Sequence, residues 1–146
     1  MRRRYLWVLV LILFITSGCT KEKIVTSRLE PLNPEKLSHE LRTSIDSYIR
    51  SNGIFQIYTS NGHHYLFLNG STITEGEKLI FFENVKINDD KNIANIYFDE
   101  LYTSAYQDKE LENMKIYEIF LNDAIDTISI YRNGQKTYFD NIIISK

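Results

Sequence analysis

The chain opens with an unbroken apolar run, Leu6 to Ile15, behind the basic head Arg2-Arg3-Arg4 and ahead of the polar exit Thr16-Ser17-Gly18. This is the three-part pattern of a secretory signal peptide. The run is too short to cross a hydrocarbon core of about 30 Å, which takes about 20 residues. Past residue 19 the pattern loses its apolar period until Asn33, so residues 19–33 read as a tether. The alternative for this stretch is a short edge strand at Ile24-Val25.

Asn33-Pro34 is a helix-start signal, with Asn as the cap and Pro at the first helical position. Leu37, Leu41, Ile45, Tyr48 and Ile49 then recur at helical steps, while Glu40, Arg42, Asp46 and Arg50 occupy the opposite side. The spacing predicts one amphipathic helix from Pro34 to about Ser51, with Gly53 available past its end.

From Ile54 the period changes to two. Two segments carry Asn-Gly, the pair best suited to a two-residue hairpin turn. In the first, a turn at Asn61-Gly62 sets Tyr58 against Tyr65, Ile57 against Leu66 and Phe55 against Leu68. Tyr58, Tyr65 and Phe67 then share one face, and the other is apolar as well, so this hairpin is expected to be central and covered on both sides, the alternative being an exposed Tyr/Phe platform for a partner protein or a glycan. In the second, a turn at Asn133-Gly134 sets Ile130 against Thr137 and Ile128 against Phe139. Ser129, Tyr131, Lys136 and Tyr138 point to the other, more polar side. Between them, residues 78–87 and 92–102 read as another antiparallel pair, 103–114 as a loop or short helical turn, and 115–121 as a further strand.

The expected fold is α+β and mostly β: one N-terminal amphipathic helix followed by six or seven antiparallel strands in a small sandwich or open barrel. The expected organisation is a signal peptide over 1–18, a lipidated N-terminus and flexible tether over 19–33, and a single globular domain over 34–146.

Charge changes the picture only once the signal peptide is taken away. Lys plus Arg is 17 and Asp plus Glu 19 in the full sequence; losing residues 1–18 removes three arginines and takes the net charge from −2 to −5. An acidic exported protein lacks the clustered cations that nucleic-acid binding requires, so no nucleic acid is expected as a partner.

The sole cysteine, Cys19, closes the stretch Ile15-Thr16-Ser17-Gly18-Cys19. This stretch resembles the lipobox of bacterial lipoproteins. The resemblance implies diacylglyceryl transfer to the Cys19 sulfur, cleavage just before it, and anchoring of the protein to the cell membrane, facing outside the cytoplasm. The chemistry agrees: a thiolate is the group that forms a thioether, and two acyl chains are the number needed for stable anchoring. No thiol then remains for a disulfide, a metal site or a nucleophile.

Catalytic and metal-binding patterns are sparse. His63 and His64 are adjacent in a strand and point to opposite faces. His39 begins "HELRT", where Thr43 stands in place of the second histidine of a helical zinc site. A calcium loop counted from Asp90 fails at Ala94, Asn95 and Leu101. Asp99-Glu100 and Glu110 with Glu112 are the carboxylates available to a hydrolase. The expectation is no enzyme, no cofactor and no metal.

Ten tyrosines are the compositional oddity. Tyr131, Tyr138 and Lys136, on the polar side of the last hairpin, are the candidate contact residues, since tyrosine combines a large apolar body with a hydrogen-bonding tip. The layout of "YLFLNGSTITEGE", "VKI", "IYF", "KIYEIFL" and "ISIYRNGQ" is similar to the PrcB-type domain, a family of small β-rich exported proteins. That resemblance covers about residues 54–135 and implies an accessory role in a surface complex. The family's Thr-Gly-Gly-Tyr stretch falls at Thr74-Glu75-Gly76-Glu77, without one Gly and the Tyr, so no site residue carries over. The leading expectation is a lipid-anchored protein whose β-rich domain binds another envelope protein. The competing one is a surface hydrolase or glycan-binding module using Asp/Glu or exposed Tyr residues.

Overall fold

A computed structural model describes residues 26–73, 76–104 and 112–145. Cys19, the signal peptide, Ile24-Val25, Glu110 and most of the loop after Thr103 lie outside the described residues. Among the described residues nine strands form two sheets. They are β1 (Arg28–Pro31), β2 (Gly53–Tyr58), β3 (His64–Asn69), β4 (Leu79–Asp90), β5 (Ile93–Thr103), β6 (Met114–Phe120), β7 (Thr127–Arg132), β8 (Gln135–Thr137) and β9 (Asn141–Ile144). The first sheet runs β1-β6-β3-β2-β9 and the second β4-β5-β7-β8. The two face each other as a sandwich, and no closed barrel is formed.

The β2–β3 hairpin is central, as the doubly apolar pattern required. Ile54, Leu66 and Leu68 face the second sheet and pack with Phe82, Ile96, Phe98 and Ile130. Phe55, Ile57, Tyr65 and Phe67 face the other way, under Leu41 and Ile45 of the helix. The fold therefore has three layers, helix on sheet on sheet, with a separate apolar core in each gap.

The register of this hairpin corrects the expected one. Phe55 opposes Phe67 and Ile57 opposes Tyr65. The loop is three residues long, Ser60 to Gly62, closed by Gly62 N to Thr59 O (2.9 Å) and Thr59 N to His63 O (3.0 Å). Gly62 takes φ 84°, whereas Asn61 stays out of the left-handed region. A two-residue turn would need both residues there; a type I turn followed by one left-handed glycine needs only Gly62. A one-residue slip exchanges every face, which is why Tyr65 and Phe67 lie with Phe55 and Ile57 rather than opposite them.

The predicted single helix is broken in two. Pro34–Lys36 form a short 3₁₀ turn capped by Asn33, whose side chain accepts from Glu35 N at 2.8 Å. The helix proper, α1 (His39–Asp46), starts anew at Ser38, whose hydroxyl accepts from Leu41 N at 3.2 Å. Ser38 is extended, and a hydroxyl that can cap competes with continued helix. Because α1 ends at Asp46, Ile49 leaves the apolar stripe and is exposed. Glu40 ties the helix to the β2–β3 turn, accepting from Ser60 N at 2.6 Å.

The expected tether is shorter than 19–33. Arg28–Pro31 add to the first sheet as β1, paired antiparallel with β6. Leu29 packs on one core and Leu32 on the other, and Ser27 N is held by Asp89 Oδ2 at 3.0 Å. The sequence signal is faint because this four-residue edge strand carries one half-buried side chain, Leu29, with the half-buried Leu32 just past its end.

Two pairings are parallel, β5 with β7 and β2 with β9. The all-antiparallel expectation fails there. The Asn133-Gly134 turn does form as expected, with Ile130 opposite Thr137 and φ of 51° and 77°. After Thr137, however, the chain leaves the second sheet, so Ile128 and Phe139 are not a ladder pair. Residues 141–144 cross to the first sheet instead.

In β4 a bulge places Asn84 and Val85 opposite the single residue Phe98, with Asn84 at φ 53°. The extra residue resets the alternation, so Ile80 and Phe82 before it and Val85 and Ile87 after it all reach the inter-sheet core.

Candidate functional site

The helix covers the outer face of the first sheet, but among the described residues nothing covers the outer face of the second. Its side chains follow from strand alternation. Lys86 pairs with Tyr97, Tyr97 with Tyr131, and Tyr131 with Lys136. These four residues form one row across four strands, a lysine at each end and two tyrosines between.

The tyrosine rings stand side by side, with centroids 4.8 Å apart and planes 18° from parallel. Lys86 Nζ lies 5.9 Å from the Tyr97 centroid, over its other face. The shared ring faces are therefore turned toward neighbours, and the row presents ammonium groups and phenol edges outward. Neither phenol hydroxyl bonds to another described residue.

Next along the strands, Asn88 pairs with Asn95 and Asn95 with Ser129, on the same face. Asn95 is 9 % exposed and Ser129 7 %. Both are thus largely buried, yet their side chains make no hydrogen bond to a described residue. On the other side of the row, Glu83 pairs with Asp99. The Asp99 carboxylate accepts from Asn84 Nδ2 at 2.7 Å.

Of the sequence candidates, Tyr131 and Lys136 belong to this row. Tyr138 lies just past β8, 80 % exposed. It borders a groove of about 300 Å³ with Ser129, Lys136, Phe139 and Ile142, left open because β8 is only three residues long. Lys86, Tyr97 and Asn95 were missed. No local pattern announces that β5 and β7 are parallel neighbours, and only that pairing brings Tyr97 to Tyr131.

A second cleft of about 310 Å³ opens between the sheets, floored by Gln56, Tyr58 and His64 beside Asp126 and Ile128. Gln56 Nε2 donates to the Tyr58 hydroxyl at 2.7 Å, and the His64 ring meets Tyr58 edge-on with centroids 4.4 Å apart. Burial, then the charge of His63, lowers the His64 pKa; burial raises that of Tyr58.

The remaining candidates are dispersed. His63 points away from His64 and contacts the Glu118 carboxylate. Asp99 lies on the outer face, whereas Glu100 is turned inward, 8 % exposed. Glu100 accepts from the Tyr102 hydroxyl and from Arg132 Nη1 (3.2 Å), and Asn133 brackets its backbone. Glu112 pairs with Lys115 at the start of β6 in the first sheet. Among the described residues no group of three His, Cys, Asp or Glu side chains is placed to hold a metal ion. No described helix is long and apolar enough to cross a membrane. Comparison with protein-family descriptions, curated proteins and solved structures finds no match for this chain.

Proposed function

We propose that this protein is a lipoprotein, anchored through diacylglyceryl on Cys19 to the outer side of a cytoplasmic membrane, whose domain binds another envelope protein. The observation that carries the binding part is the open outer face of the β4-β5-β7-β8 sheet, with its Lys86–Tyr97–Tyr131–Lys136 row. Tyrosines flanked by cations suit a protein interface, where a rigid ring supplies area and its hydroxyl a hydrogen bond. The stacking of the two rings on each other favours this over a sugar platform, which needs an open ring face. The anchoring part rests on the sequence of residues 1–19 alone.

Two forms fit this reading: an accessory or regulatory subunit of a surface complex, in line with the resemblance to PrcB-type domains, and an immunity or exclusion protein that blocks a partner's machinery. The test is Cys19→Ala. The protein should leave the membrane fraction and its cellular effect should disappear with it. A variant that is fully shed yet fully active would rule out the anchored-partner reading.

A further inference from the structure

We infer that the partner meets this face with an acidic polypeptide segment lying across the strands, its carboxylates seated on Lys86 and Lys136 and accepting from the Tyr97 and Tyr131 hydroxyls. The inference rests on the envelope-partner reading and names the chemistry of that partner. Three inter-strand spacings separate the two lysines, about 14 Å. An extended segment spans that with acidic residues at i and i+4, which also fall on one side of it.

The row offers donors only at its ends and tips: two ammonium groups and two unengaged phenols, all beside the unengaged side chains of Asn95 and Ser129. Carboxylates match that set, because hydrogen bonds to a charged acceptor are stronger than neutral ones. The Glu83–Asp99 pair on the neighbouring row decides between kinds of anion. A polyanionic glycan or an anionic lipid surface carries charge in every direction and would be repelled there. A folded partner can place carboxylates on one row and withhold them from the next.

A zero-length carbodiimide joins an ammonium to a carboxylate only where the two touch, so it reads this contact directly. Applied to native membranes bearing the full chain, it should link Lys86 and Lys136 to Asp or Glu of one protein. The exposed Lys36 and Lys91 should remain unlinked. Tyr97→Phe with Tyr131→Phe keeps both rings and their stack, and should cut the yield severalfold. A protein linked only through other lysines would overturn the inference and leave the envelope-partner reading standing. Coupling to uronic-acid glycan instead would overturn both. So would equal shielding of Lys86 and Lys136 from acetylation in protein-free phosphatidylglycerol vesicles.

Discussion

Asn69 is the polar node of the fold, and its replacement is the most decisive test of the packing. Its side chain is 0 % exposed at the end of β3, where the strand meets the segment leaving α1. Its Nδ2 donates to three carbonyls, Tyr48 O at 3.2 Å, Ile49 O at 3.0 Å and Ser51 O at 2.9 Å. Its Oδ1 accepts from Ser71 N at 3.0 Å. One amide thus gathers three carbonyls of the segment past the helix and fixes the start of the next loop. Asn69→Ala removes all four contacts. At about 1 kcal/mol net for a hydrogen bond, with water replacing part of the loss at exposed Ile49 and Ser51, the cost is about 2–4 kcal/mol. Set against a total of about 5–15 kcal/mol for a domain, that is a large share. Asn69→Asp separates hydrogen bonding from packing: the shape is kept, but an acceptor replaces the donor opposite three carbonyl oxygens. It should cost at least as much as Ala at neutral pH and recover part of the loss in acid, as the buried carboxyl takes up a proton. Urea unfolding with an unchanged slope gives both values. A loss under about 1 kcal/mol for Ala, or a neutral-pH Asp variant as stable as the parent, would refute the reasoning.

Deleting residues 20–33, harmless if they were only a tether, should cost about 2 kcal/mol by removing the half-buried Leu29 and Leu32 from the two cores they pack on. It should also bare the β6 edge to self-association; urea titration and sedimentation check the two effects. Asn84→Val should lose about 1–2 kcal/mol, because a β-branched residue resists φ 53°. Asn84→Gly should lose less, and comparing the two unfolding midpoints isolates the bulge. Acid should weaken the fold through His64, whose folded pKa lies below its ordinary 6.5 because of burial. The unfolded chain then binds the proton more readily, so this contribution is full above pH 6.5 and is lost as pH falls through the folded value. Tyr58 and Tyr117, raised by burial, act at the other end: their contribution is full below pH 10 and is lost as pH rises through their folded values. Thermal midpoints across pH check both limbs, and His64→Phe should flatten only the acid one.

The sequence by itself determined what depends on near neighbours. The period-two runs placed the strands of the β2–β3, β4–β5 and β7–β8 hairpins. Asn133-Gly134 specified a turn that both residues can enter at positive φ, and the doubly apolar β2–β3 hairpin announced its central position. Residues 1–19 raised the anchoring hypothesis, which the described residues leave untouched. Tertiary structure decided whatever depends on partners distant in the chain. Arg28–Pro31 became a strand because β6 offered an edge, and Ile142 to Ile144 crossed sheets because β2 offered another. The Asn61-Gly62 loop took three residues rather than two, and with that slip Tyr65 and Phe67 turned toward the helix. The candidate surface divides the same way. Tyr131 and Lys136 are hairpin neighbours and were legible; Lys86 and Tyr97 join them only through the parallel contact of β5 with β7. Local spacing encodes which way a side chain points from its strand. It does not encode which strand lies alongside, because that is settled by the apolar area the two sheets bury together.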